Sequence, residues 1–358
     1  MSKILKSHLI CAFFLWCGFT SLWAEDFQRW SALPVLGYSE ETEWQFGALA
    51  LLFFKPDSNS THASSLDFAA YATNRKQFQA MISPDIYLFQ GLVHANLDFV
   101  YWDWVAHYFG VGNNPDNQNY MVYDMTRYYV KIPVESRLFL PSSLSFLEYG
   151  AIAYAEYNEI DFRAYEGGLN KPSSLGGWRT SLGYSLSLDT RNHPYIPIHG
   201  FYAYWEQLFY TKAFGGPTFI SQTLDLRGYT YLFWRTSIAL GAIWQGTFGD
   251  VPFDMLAMPD GSKRFRGIER GLFRDNQSFV WQAELRRPLF WRLGGTIFYE
   301  AAKVAPYFGE LYRERWHHAF GFGGRLALNA KEGVYARCDF SLVDGKHFGL
   351  TVYIREAF

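Results

Sequence analysis

The sequence predicts an all-β fold: a transmembrane antiparallel β-barrel of about sixteen strands with a long loop folded into its lumen. Three observations carry this. Aromatic residues make up 20% of the 358-residue chain, with Trp 13, Tyr 25 and Phe 33. That is more than a soluble core needs, and it suits a bilayer-facing surface with interfacial girdles. Segments of about ten residues alternate in polarity, the length of a tilted strand that crosses a membrane. Connections are long on one side and mostly short on the other, as in outer-membrane barrels. A mean hydropathy near zero excludes a polytopic helical protein but not a barrel, whose lumen-facing half is polar. The net charge of −2 says nothing about partners.

The N-terminus reads as a leader. Lys3 and Lys6 precede an apolar run, Leu9–Phe19, that ends in S-L-W-A at Ala24. This predicts a secretory signal peptide over 1–24, cleaved after Ala24, and a barrel over 25–358. Cys11 and Cys17 lie in the leader, so the mature chain keeps Cys338 alone, a small hydrophobe on an apolar strand face. No linker, repeat or low-complexity segment stands out.

Strands are expected at 29–39, 43–54, 63–73, 76–89, 91–104, 119–137, 144–160, 177–189, 200–211, 217–230, 233–247, 277–287, 292–303, 317–329, 333–341 and 347–358. In the second, Trp44, Phe46, Ala48, Ala50, Leu52 and Phe54 share one face and Glu43, Gln45 and Gly47 the other. Phe279, Trp281, Ala283 and Leu285 oppose Gln282, Glu284 and Arg286 in the same way. An even number of strands puts both ends on the periplasmic side. The long connections at 105–118, 161–176, 248–276 and 304–316 then fall together outside, opposite turns such as Phe89–Gly91 and Tyr231–Phe233. A soluble β-sandwich would leave the outward Phe and Trp unexplained.

The stretch Phe265–Asn276, F-R-G-I-E-R-G-L-F-R-D-N, is too Arg-rich for a core and too Gly-rich for a helix. It sits in the longest connection, which reads as a plug-like loop. A second marked stretch is L-D-T-R-N-H-P-Y-I-P-I-H-G, Leu188–Gly200, a turn that Pro rigidifies and Gly bends. Both stretches closely resemble hallmarks of the BamA/TamA superfamily of outer-membrane assembly and secretion barrels, the bacterial surface antigen family. The first resembles its R-G-F/Y…G-x-x-R-D loop, and the second its D-T-R-D-x-P-x-x-P-x-x-G periplasmic turn. The opening L-P-V-L-G-Y-S-E-E-T-E-W-Q-F-G and the close of the chain also resemble family barrels. Two departures stand out: Ile268 replaces the family's aromatic after R-G, and the family's POTRA domains are not found.

The resemblance implies a latch of Arg266, Gly267, Ile268, Glu284 and Glu300, in which the loop arginine pairs with acids on the next two strands. Alternation independently puts Glu284 and Glu300 in the lumen, and a guanidinium can fork onto a carboxylate. The alternative is that Arg266 is one of several loop arginines in water. Asp189, Arg191, Pro194, Pro197 and Gly200 form the turn motif. Phe358 reads as a terminal aromatic signal for the barrel-assembly machinery that inserts the chain.

Enzyme signatures fail. His317 and His318 are adjacent and point to opposite faces of a strand, so they cannot share a metal. Gly321–Arg325, G-F-G-G-R, lacks the strand–turn–helix context of a nucleotide loop, and its glycines are expected to relieve crowding beside the plug. No G-x-S-x-G motif occurs. No cofactor, metal or nucleic-acid partner is expected; the expected partners are the lipid bilayer, the assembly machinery and a separate periplasmic protein. Two functions remain open. The resemblance implies assembly, insertion or translocation of polypeptides, and the alternative is a structural surface antigen or narrow passive channel.

Overall fold

The computed structural model describes residues 30–39, 41–54, 64–165, 168–173, 175–194, 196–259, 261, 263–329 and 334–354. The expected leader and Phe358 lie outside them. The strands are β1 (Trp30–Ser39), β2 (Glu43–Phe54), β3 (Ser64–Thr73), β4 (Phe78–Leu88), β5 (Val93–Asn96), β6 (Asp98–Tyr108), β7 (Met121–Ser136), β8 (Leu147–Phe162) and β9 (Gly177–Asp189). They continue as β10 (Gly200–Tyr210), β11 (Phe219–Tyr231), β12 (Ser237–Gly249), β13 (Gln277–Pro288), β14 (Leu293–Ala305), β15 (His317–Asn329), β16 (Val334–Val343) and β17 (His347–Ile354). Every neighbouring pair is antiparallel, and β17 returns to β1, so the sheet closes. No helix among the described residues is long and apolar enough to cross a membrane.

Seventeen strands make sixteen staves, because β5 and β6 are one stave interrupted at Leu97. Register is unbroken across the gap: Asp85 faces Asn96, and Ile82 faces Phe99. The interruption has a covalent cause. Pro84 on β4 and Pro133 on β7 flank the gap from either side, and neither has an amide hydrogen to give the ladder.

Closing the sheet hides its edges, and alternation sorts the side chains. Phe46, Phe68, Phe99, Leu182, Leu240, Ile297 and Phe320 face outward and are exposed, while Arg127, Glu156, Arg179, Glu284, Glu300 and Asp339 are buried inside. Among the described residues, the seam is the thin place in this wall. Among the described residues β1 and β17 are in register at Tyr38–Val352, whereas β1 and β2 pair from Trp30–Leu52 through Ser39–Glu43.

Most expected boundaries shift by one to three residues, and two move by four. The strand expected at 91–104 runs on to Tyr108, and the strand expected at 233–247 begins at Ser237. Leu232–Thr236, rather than Tyr231–Phe233, makes the turn: Leu232 N–H donates to Thr236 O, and Trp234 and Arg235 have φ of 48° and 61°. The alternation misled because the turn residues are themselves aromatic, so the period-2 pattern runs on without a hydrogen-bonded partner.

The β9–β10 turn carries a salt bridge beside its prolines. Arg191 forks onto Asp189 (Nε–Oδ1 2.9 Å, Nη2–Oδ2 2.6 Å), donates to Pro194 O at 3.0 Å, and lies 4.3 Å from the Tyr202 ring centroid. Pro197 is buried in the turn. Gly200 has φ +110°, and a Cβ there would lie 2.4 Å from Thr190 O. Gly200→Ala therefore destabilises the barrel by about 1–3 kcal/mol. A lowered urea midpoint for the refolded protein checks this, and an unchanged midpoint contradicts it.

Candidate functional site: a luminal loop held at two walls

The connection 250–276 between β12 and β13 folds back into the lumen. Phe265 is held at φ +62°, a costly conformation for a bulky side chain, and is fully buried. It packs with Ile268, Phe273, Ile243, Val280 and Val304. Ile268 thus fills an apolar pocket without the ring of the family motif, and each such side chain contributes about 1.5–3 kcal/mol on burial.

Beside that cluster, Arg266 is completely buried and meets three carboxylates from three strands. Its Nη2 is 2.7 Å from Glu300 Oε1 on β14, and its Nη1 is 2.9 Å from both Glu284 Oε2 on β13 and Asp339 Oδ2 on β16. The Arg266 amide also donates to Glu300 at 2.5 Å, and the guanidinium lies 3.4 Å from the Phe298 centroid, a cation–π contact. The acids are shared in turn. Arg325 and Arg337 donate to Asp339 at 2.5 and 3.1 Å, Arg286 donates to Glu284 at 2.8 Å, and Gln282 donates to Glu300 at 2.7 Å.

The glycines shape this wall. A Cβ on Gly267 would lie 2.0 Å from Ser341 Oγ, and one on Gly349 would lie 2.2 Å from Gly267 Cα. The loop backbone therefore rests directly on the last strand, next to the seam. Gly321 makes room for the Phe298 ring and Gly323 for Asp339. These glycines relieve crowding for the wall that receives the loop, not for the loop itself.

The structure brings Arg266, Gly267, Ile268, Glu284 and Glu300 together, and it adds Asp339, Arg325 and Arg337, whose alternation signal was visible on their strands. It also shows a second anchor that no motif marks. Asp254, in the 3-10 turn Phe253–Met255, accepts from Arg179 (2.8 and 2.9 Å), Arg127 (3.1 Å) and Asn158 (2.9 Å). Glu156 shares both arginines, at 2.7 Å from Arg179 and 3.4 Å from Arg127. These partners stand on β7, β8 and β9, across the lumen from β13–β16. The anchors have opposite polarity: a loop base meets wall acids on one side, and a loop acid meets wall bases on the other.

The rest of the loop is braced as well. Glu269 pairs with His107 at 2.7 Å, Arg264 with Asp225 at 3.0 Å, and Arg270 lies 5.3 Å from the Trp102 centroid. Glu41, in the β1–β2 turn, reaches the Trp104 indole at 2.8 Å. Burial raises its carboxyl pKa above the ordinary range, and Arg270 and Trp104 only partly offset this. Above the loop, Asn113 of the β6–β7 connection binds Val304 N–H, Arg315 O and His317. His318 points the other way, to the Tyr299 hydroxyl at 2.7 Å.

Removing one partner of so buried a cluster strands the others. Arg266→Met is expected to cost about 3–5 kcal/mol, with Arg266→Lys intermediate because it keeps charge and loses the fork. Urea unfolding of the refolded barrel measures both, and equal midpoints for all three proteins would contradict the assignment.

Comparison with known proteins agrees with the barrel fold. No curated protein matches the chain. Its fold is similar to the crystal structure of BamA from Haemophilus ducreyi lacking POTRA domains 1–3, with TM-score 0.61, 14% identity, and coverage of 92% of this chain and 71% of that one. It is also similar to CdiB from Acinetobacter baumannii, with TM-score 0.60, 12% identity, and coverage of 92% of this chain and 60% of that one. The family model described as the Omp85 superfamily domain matches residues 50–329. The chain is an integral outer-membrane β-barrel that belongs to the Omp85 superfamily.

Proposed function

We propose that this barrel inserts or translocates polypeptides at the outer membrane, with the 250–276 loop as its plug and the β1–β17 seam as the lateral way out. The observation that carries the reading is the Arg266 cluster. A single loop residue ties together β13, β14 and β16, and its neighbour Gly267 rests on β17. Movement of the last strands away from β1 would therefore pull on the plug. Asp254 is bound to β7–β9, far from the seam, so that end of the loop serves as the fixed anchor and the Arg266 end as the releasable one. In this reading a separate periplasmic protein delivers the client, and the barrel has no enzymatic activity.

The second reading is a structural surface antigen or narrow passive channel. It draws on the bracing of the loop from both walls. The two readings differ in what loss of the latch does. Under the first, Arg266→Ala at normal protein abundance lowers client assembly or secretion in cells. It also raises the open fraction in planar bilayers by about a hundredfold or more, the equivalent of losing a buried pair of about 3–5 kcal/mol. Asp254→Asn alone opens the pore less, and the double variant opens it most. A steady ion-selective conductance that neither variant changes, with every client assembled normally, would overturn the first reading in favour of the second.

A further inference from the structure

His317 and His318 open β15 on opposite faces, and neither takes part in the Arg266 cluster. His318 turns to the Tyr299 hydroxyl, whereas His317 is buried, 5% exposed, with its ring stacked on Phe273 of the plug at 4.1 Å. Both ring nitrogens of His317 are engaged. Nδ1 lies 2.6 Å from Asp344 Oδ2 in the β16–β17 turn, and Nε2 lies 2.7 Å from the backbone oxygen of Asn113. A neutral imidazole carries one N–H and can serve one acceptor; both bonds form together only on the imidazolium. The alternative source of the second proton is the Asp344 carboxyl. That group already accepts from His318 N–H at 2.8 Å and from Arg315 at 3.3 Å, as a carboxylate does. Burial alone would raise its pKa, but the hydrogen bonds from His317 and His318, with the charges of His317 and Arg315, hold it below the ordinary range. The second proton therefore belongs to the ring.

That proton holds a lid. The β6–β7 connection, 109–120, reaches from β6 over the plug to the wall beyond it. Its Gly112 N–H donates to Arg274 O of the plug at 2.8 Å. Its Asn113, buried at 5% exposure, donates to Arg315 O at 2.8 Å and accepts from Val304 N–H at 2.9 Å. One imidazole thus touches the lid through Asn113, the plug through Phe273 and the β16–β17 turn through Asp344. When the ring loses its second proton, a lone pair must face one of the two acceptors. The bond to a carboxylate is the stronger, so the neutral ring keeps Asp344 and releases Asn113. Other charges stand on the elements around the ring: Arg274 and Asp275 on the plug, Glu314 and Arg315 on the β14–β15 connection, Lys303 on β14 and Lys346 beside Asp344. Two further histidines touch the lid. His107, at its root, pairs with Glu269 of the plug at 2.7 Å, and the exposed His347 meets Asn117 at 3.3 Å.

We infer that His317 is a proton-operated clasp: as an imidazolium it fastens the β6–β7 connection over the plug, and as a neutral ring it lets that connection lift. The closed lid binds the extra proton, so closure is complete at low pH and is lost as pH rises. This goes beyond the transport reading and does not depend on it. To test it, spin labels on Asn114→Cys and Arg313→Cys, both exposed, are introduced in a Cys338→Ala background. Double electron–electron resonance then reads the distance between lid and wall in phosphatidylethanolamine/phosphatidylglycerol liposomes. The expected result is one distance at about pH 5.5 and an open population at least about tenfold larger at about pH 9, the weight of one hydrogen bond to a charged group. Asp344→Asn removes the charge that favours the imidazolium and is expected to move the opening about one pH unit or more lower. His317→Gln, whose side chain does not titrate, is expected to give an open population that does not vary with pH. A distance distribution unchanged between the two pH values would overturn the inference. So would an opening pH that Asp344→Asn leaves in place, or a pH response that His317→Gln retains in full, which would assign the switch to His107 or His347.

Discussion

A fully buried guanidinium is the constraint from which the rest of this structure follows. Arg266 cannot be buried in the lumen unless its charge is met, and three strands meet it with Glu284, Glu300 and Asp339. Those acids would repel one another, and Arg286, Arg325 and Arg337 offset this from the same wall. Glycines 321 and 323 give that wall the space its side chains need. The left-handed backbone at Phe265 and Gly267 delivers the arginine to its site. No one of these features is sensible without the others.

The second anchor changes how the loop is understood. A loop tied by Arg266 alone would be a tether with one end free to swing. With Asp254 held by Arg127, Asn158 and Arg179, it is a strap fixed across the lumen. Buried ion clusters are weak evidence for net stability, but they specify position, because every misplacement leaves a charge unmet. The strap therefore fixes where the plug sits more than how stable the barrel is. Its position also couples the plug to the strands beside the seam, through the close approach of Gly267 and Gly349.

The barrel was legible in the sequence because a lipid-facing wall forces outward apolar side chains at every second residue, as in Phe46–Phe54. The Arg266 pairing with Glu284 and Glu300 was legible because a motif marks the base and alternation marks the acids. Asp339 was visible as a lumen-facing residue but not as a partner, since its approach to the loop depends on how the barrel closes. Arg127, Glu156 and Arg179 were hidden for a related reason. Their convergence depends on register, in which Glu156 faces Arg179 and Asn158 faces Arg127, and alternation leaves register open by steps of two. The turn at Leu232–Thr236 was misread because its aromatics prolong the strand pattern.

The most direct measurement is the accessibility of the plug itself. Ile268→Cys, in a Cys338→Ala background, places a thiol in the pocket beneath the Arg266 cluster, and its reaction with a small water-soluble maleimide reports whether the loop stays home. Labelling is expected to be slow when both anchors are intact, faster with Asp254→Asn, faster still with Arg266→Ala, and fastest with both. Equal labelling rates in all four proteins would mean that neither anchor holds the loop in the lumen.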